Sequence, residues 1–148
     1  MATPRLTAEE VRLFLQDRKE LNPLILGIRF TPEMIEQAMI NTVDYYNLMN
    51  PPTGIMYSVE SFPYRAILLL GTAAYLLRSG AINEAANSLS YAADGVQVND
   101  KDKAQIFTSL GDMLHSEFKE LGQQVKMNQN IAQIYGVKHS EYIYRRRY

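Results

Sequence analysis

The sequence predicts an all-α protein: a small helical bundle with a central buried helix, one long helix and an extended C-terminal arm. Three observations carry this. Phe62 to Gly80, FPYRAILLLGTAAYLLRSG, is apolar almost all the way round, with Thr72 as the polar exception between Arg65 and Arg78. A helix without a polar face belongs in a core or in a membrane. From Asp100 to about Tyr135 the chain has no proline, and its apolar or small residues recur at steps of 3 and 4. After that, Tyr142 and Tyr144 alternate with Glu141 and Ile143, an extended rather than a helical pattern.

Composition narrows the class. A chain of 148 residues, 47 % hydrophobic, can bury one sizeable core. With no cysteine, disulfides, thiolate catalysis and Cys-based metal sites are excluded. The net charge of -1 gives no global attraction to nucleic acid or anionic lipid. The start, MATPRLTAEEVRLFL, shows no continuous apolar signal segment, so secretion by that route is not expected. Tyrosine is frequent, with 10 residues, while tryptophan is absent. Tyrosine suits both core edges and surfaces covered on assembly.

The elements follow in order. Thr7 with Glu10 forms a capping-box pattern opening a helix over Thr7–Lys19, with Val11, Leu15 and Arg18 on one side. Asn22-Pro23 ends it, and Leu24 to Ile28 is a short apolar run around Gly27. Thr31-Pro32-Glu33 is a cap, a first-turn proline and a first-turn acid. Ile35, Met39, Thr42, Tyr46 and Met49 then form one face, stopped by Asn50-Pro51-Pro52.

The central helix is expected to start at Ser58 or Ser61, to carry Pro63 in its first turn and to stop at Gly80. The interval between its arginines is short of the roughly 18 apolar residues that a membrane span needs, so no membrane is expected. Gly71, Ala73 and Ala74 form a small-residue patch suited to close helix packing. Ala81 to Ala93 reads as a further helix, folded back at Ser79-Gly80 and ended by Asp94-Gly95, with Val96-Gln97-Val98 alternating after it.

The long segment is either one helix or two pieces broken near Gly122. As one helix it approaches 50 Å at about 1.5 Å per residue, more than a domain of this size needs for its own core. Phe107, Leu114, Phe118, Leu121 and Val125 form its main stripe, widened by Ile106, Leu110, Met113 and Ile131. A helix longer than its domain often reaches a partner, and this stripe is the expected inter-subunit contact. The arm, residues 136–148, carries four cations against one acid, a charge of +3 that leaves -4 for the rest. Tyr142, Tyr144, Arg145, Arg146, Arg147 and Tyr148 are its candidate anchors, because arginine and tyrosine dominate binding hot spots. The domain division is thus a helical bundle over 1–135 and a docking arm over 136–148.

Patterns of catalysis are missing. His115 and His139 belong to no HExxH or spaced ligand cluster. Asp94, Asp100 and Asp102 crowd one stretch without the twelve-residue calcium loop. Ser61, Ser88 and Ser90 lack a nucleophile motif, and no phosphate-binding glycine pattern or Glu-x-x-His pair occurs. The reading is a non-enzymatic protein with no cofactor and no metal. Arg145–Arg147 with Tyr144 and Tyr148 could grip phosphates and stack on a base, but the body is acidic and 81–93 holds no Lys or Arg for a recognition helix.

The block FPYRAILLLGTAAYLLRSGAINEAANSLSYAADGVQVNDKDKAQ, followed by a long helix and a Tyr- and Arg-containing end, resembles the head-tail connector proteins (adaptors, or head-completion proteins) of the neck of tailed bacteriophages. The likeness is one of overall pattern over about residues 60–125. It implies a virion structural protein assembled in the host cytoplasm, a ring commonly of twelve below the portal, and a channel through which DNA passes. It further implies an arm that reaches the portal protein, with a tail or stopper protein on the other side. A mildly acidic body marks no positive channel wall. Other readings are a phage tail or baseplate structural protein, a cellular helical interaction module and a nucleic-acid binder.

Overall fold

A computed structural model describes residues 5–21, 27–87, 90–93, 96–99 and 101–135. The predicted all-α bundle is what forms. Four helices pack together, and a short two-stranded hairpin lies between the third and the fourth.

Helix α1 (Ala8–Leu15) starts at its capping box. The Glu10 N–H donates to Thr7 Oγ1 at 3.4 Å, and the Thr7 N–H donates to the Glu10 carboxylate at 2.9 Å. It ends earlier than Lys19, because Gln16 turns left-handed at φ 54° and donates its side-chain amide to the Leu13 carbonyl at 2.9 Å. Val11 is buried and Leu15 packs on the core, while Arg18 lies beyond the helix and is exposed. Residues 22–26, with Asn22-Pro23 and most of the apolar run, lie outside the described residues.

Helix α2 (Pro32–Leu48) begins at Thr31, whose hydroxyl accepts from the Met34 N–H. Its own backbone N–H and the Thr31 side chain hold the Glu33 carboxyl below the usual range. All of the expected face is buried: Ile35, Met39, Thr42, Tyr46 and Met49. The following connector is built on Phe62, which meets Tyr46 edge-on at 4.9 Å, Tyr57 at 5.6 Å and Tyr64 at 5.9 Å. Offset and edge-on rings of this kind add to plain burial. Three of the tyrosines thus serve the subunit's own core. Ser58 and Ser61 bond each other inside the connector and do not cap the next helix.

Helix α3 spans Arg65–Asn87, 23 residues, and it corrects two expectations. Phe62 and Pro63 precede it, and it runs straight through Gly80, so Ser79-Gly80 is no hairpin bend. A glycine in a helix interior costs only about 1 kcal/mol, and tertiary packing overrides it. Here Phe30 and Phe107 line Gly80, 3.5–3.6 Å from where a Cβ would stand. Gly71 is different: a Cβ there overlaps the Thr42 methyl and lies 2.9 Å from Phe118. The small patch is therefore used for close packing inside the subunit. Gly80→Ala is expected to raise stability by about 0.5–1 kcal/mol, and Gly71→Ala to lower it by about 1–3 kcal/mol. Urea midpoints at constant slope check both.

The length of α3 also removes the argument that it is too short to span. Arg65–Ala86 has the length and composition of a membrane span, with mean hydropathy 1.3. Its apolar surface is spent on neighbours instead. More than half of that window is buried, and α3 touches α1, α2 and α4. It is the central helix of the bundle.

The expected helix over Ala81–Ala93 is half right. Its first half continues α3, whereas Ser90–Ala93 is strand β1, antiparallel to β2 (Val96–Asn99) with Ser90 opposite Asn99 and Ala93 opposite Val96. Asp94-Gly95 followed by the alternating Val96-Gln97-Val98 is the pattern of a two-residue hairpin rather than of a helix stop. The linking residues 94 and 95 lie outside the described residues. Helix α4 (Lys101–Tyr135) is one unbroken helix of 35 residues through Gly122. It packs most extensively against α3.

Candidate assembly surface

The functional candidates divide between α4 and the arm. Arm residues Tyr142, Tyr144, Arg145, Arg146, Arg147 and Tyr148 lie outside the described residues, as does His139. The α4 stripe is fully placed. Leu114 and Phe118 are buried, Leu121 and Val125 pack against the main core, and Phe107 packs beside Leu77 and Leu114. Each of these side chains finds its partners within the subunit. The opposite side of α4 faces away from these partners.

That other side is apolar at both ends. Ile106, Leu110 and Met113 are exposed near its start; Met127, Ile131 and Ile134 are exposed near its end, with Ile134 at 77 %. Between them stand exposed Glu117, Glu120 and Gln124. The positions run 106, 110, 113, 117, 120, 124, 127, 131, 134, at alternating steps of 4 and 3. On a straight helix that spacing makes one continuous stripe, which drifts by about 80° around the axis from 106 to 134. In the sequence pattern Ile106, Leu110, Met113 and Ile131 show only as a widening of the buried stripe, because the two stripes adjoin on the helix surface.

A polar clasp explains why α4 can outrun the apolar core. Lys126 is 1 % exposed. Its ammonium donates to the Met49 carbonyl at 2.6 Å and to that of Asn47 at 3.3 Å. Gln129 donates to the Tyr64 hydroxyl at 2.7 Å and the Tyr57 hydroxyl at 3.0 Å. Asn130 and Gln133 donate to the carbonyls of Pro52 and Thr53. The last turns of α4 thus strap the α2–α3 connector with hydrogen bonds rather than with hydrocarbon. Spacings of 3, 1 and 3 among Lys126, Gln129, Asn130 and Gln133 were the available signal.

At the opposite end, α3 and α4 are joined by Arg78, whose guanidinium bonds Asp112 Oδ1 at 2.7 and 3.0 Å. Arg29 pairs with Glu84 at 2.7 Å and lies 4.6 Å over the Phe107 ring. Arg65 pairs with Glu10 and ties α3 to α1. Beside Arg78 and Asp112, a groove of about 790 Å³ is floored by Ala81, Ala85 and Ala104 and flanked by exposed Ile82.

His115 is edge-on to Tyr45 at 5.1 Å and beside Phe118 at 6.0 Å. Burial, then the charges of Arg78 and Lys119, push its imidazole below the usual range, against a smaller pull from Asp112. Its ring neighbours are the aromatic side chains of Tyr45 and Phe118. No group of three or more His, Asp or Glu among the described residues could hold a metal ion. Asp94 and Asp100 lie outside the described residues, and the Asp102 side chain is not described.

Comparison with protein-family models, with curated proteins and with solved structures finds no match to this chain.

Proposed function

We propose that this chain is a structural virion protein, a subunit of the head-tail adaptor ring of a tailed bacteriophage. In this reading it links the portal to a tail or stopper protein and continues the DNA channel, without catalysis. The observation that carries the proposal is the outward face of α4. A helix of 35 residues with exposed large apolar residues at both ends is built to be covered. The sequence pattern resembling neck connectors supplies the identity of the assembly. The basic, tyrosine-rich arm supplies a second contact, directed at the portal.

The test is binding of the purified chain to the portal protein of the same phage. Deleting residues 137–148 is expected to weaken binding by roughly tenfold or more, the loss of about 1.4 kcal/mol or greater. Unchanged binding overturns the arm's role. Native mass spectrometry of the assembled neck reads the ring size, expected to be twelve on the resemblance. Absence of the chain from purified virions overturns the whole reading.

A further inference from the structure

One side of α4 is answered within the subunit and the other is not. The inward stripe, with Phe107, Leu114, Phe118, Leu121 and Val125, meets α3 and the core. On the outward stripe Leu110, Met113, Met127, Ile131 and Ile134 are left between 42 % and 77 % exposed. The outward stripe alternates steps of 4 and 3 without a break from 106 to 134. That is the heptad period, and on a straight helix it drifts by about 20° per heptad. A second helix wound left-handed around α4 removes the drift and meets every position, which a flat partner surface does not. The spacing therefore calls for a helix as the occupant, just as the inward stripe is met by a helix.

We infer that this helix is α4 of a second copy of the chain, running antiparallel, with the two-fold axis at the level of Gly122. The stripe has the same order of polarity from either end. Ile106, Leu110 and Met113 are apolar, Glu117, Glu120 and Gln124 are polar, and Met127, Ile131 and Ile134 are apolar again. A stripe that is unchanged by reversal is complementary to itself in an antiparallel pair, the isologous arrangement of two-fold dimers. Charge then selects the register. Parallel pairing in register sets Glu117 on Glu117 and Glu120 on Glu120. Antiparallel pairing centred between Glu117 and Glu120 sets each Glu117 against a Glu120. Either arrangement crowds four carboxylates into the middle of the contact, where like charges repel. Moving the antiparallel centre half a heptad on, to Gly122, separates them. Glu120 then faces Gln124 in two equivalent layers, and the Gln amide is a donor for the carboxylate. Glu117 lies beside Met127, Met113 meets Ile131, and Leu110 meets Ile134. The paired stretch from 110 to 134 is about 36 Å long at about 1.5 Å per residue. A polar pair inside such a seam fixes register at some cost in affinity.

The pair goes beyond the adaptor reading and does not rest on it. An isologous contact closes on itself and cannot continue from subunit to subunit around a ring. In the adaptor reading the pair is thus the form of the free chain. It keeps the apolar ends of α4 covered until ring contacts replace it.

The chain contains no cysteine, so reporter disulfides are unambiguous. Full-length chains carrying Glu120→Cys or Gln124→Cys, both at exposed helix positions, are oxidised separately and as a mixture. The mixture is expected to give the 120–124 mixed disulfide at least tenfold faster than either variant cross-links with itself, with circular dichroism unchanged. Parallel pairing in register reverses that order, each variant preferring itself, and overturns the inference. Sedimentation equilibrium of the natural sequence is expected to show a dimer. Ile131→Asp, also at an exposed position, is expected to raise the dimer Kd by about 100-fold or more. A dimer indifferent to Ile131→Asp overturns the inference. So does a chain that stays monomeric at about 100 µM, which leaves the face to a different protein. Neither result touches the adaptor reading, which is decided by the virion, and absence from virions leaves the pair standing.

Discussion

Asp17→Ala is expected to lower stability by about 3 kcal/mol, without changing the slope of the urea transition. Asp17 is 4 % exposed and follows the end of α1. Its carboxylate oxygens accept from the Arg29 N–H at 2.8 Å and the Phe30 N–H at 2.9 Å. Those amides lie just before Thr31, the cap of α2, so one side chain fixes how the chain enters the second helix. Arg12 supports the same point by donating to the Phe30 carbonyl at 3.3 Å. Hydrogen bonds to a charged acceptor are worth about 1.5–3 kcal/mol each, and truncation leaves buried donors without a partner. Phe30 anchors the core against Gly80, so loosening it reaches α3 as well. At roughly 2–4 °C per kcal/mol for a chain near this size, the thermal midpoint should fall by about 10 °C. Asp17→Asn keeps one acceptor but turns an NH2 toward the other amide, and should lie about midway. A loss below about 1 kcal/mol for the alanine variant would mean that water replaces the carboxylate.

What the sequence revealed and what it hid follow from where the physics is local. The α1 box and the α2 cap are contacts within a few residues, and both read correctly. The α2 face is strictly periodic, and every member is buried. The end of α3 was misread because Gly80 and Asp94-Gly95 carry opposite meanings in different contexts. Packing on Phe30 and Phe107 holds Gly80 in the helix, while Asp94-Gly95 sits between paired strands. The α4 surface was half legible. Its inward stripe is conventional, but its outward one is interrupted by Glu117, Glu120 and Gln124 and passes for a widened core. The clasp was hidden altogether: Lys126, Gln129, Asn130 and Gln133 look like a solvated face until the connector is placed against them. Nothing local shows that Lys126 is buried, because its partners lie 77 and 79 residues away.

Lys126 gives the second large effect and a pH signature. The carbonyls that it bonds belong to the end of α2, where the helix runs out of partners and its dipole is negative. The ammonium also sits 4.9 Å over the Tyr46 ring. Lys126→Met keeps the stem's bulk but leaves those carbonyls unpaired, and should cost about 2–3 kcal/mol near neutral pH. Lys126→Ala should cost about 1–2 kcal/mol more through the added cavity. Burial holds the Lys126 ammonium below the usual lysine range. The unfolded chain therefore keeps a proton over a window in which the folded chain has released it. Stability must rise with pH through the folded-state pKa and level off near the ordinary value of about 10.4. Tyr46 acts with the opposite sign. Burial, then the neighbouring Tyr64 and Tyr57, push its phenol above the ordinary range, and its hydroxyl has no partner among the described residues. Above about pH 10 the unfolded chain ionises first, the folded chain holds more protons, and stability falls. Urea midpoints taken across the alkaline range should trace a rise and then a fall in the natural sequence. Lys126→Met should abolish the rise and keep the fall, whereas Tyr46→Phe should do the reverse. A rise that persists in Lys126→Met would place the titrating group elsewhere and remove Lys126 as the buried cation that closes α2.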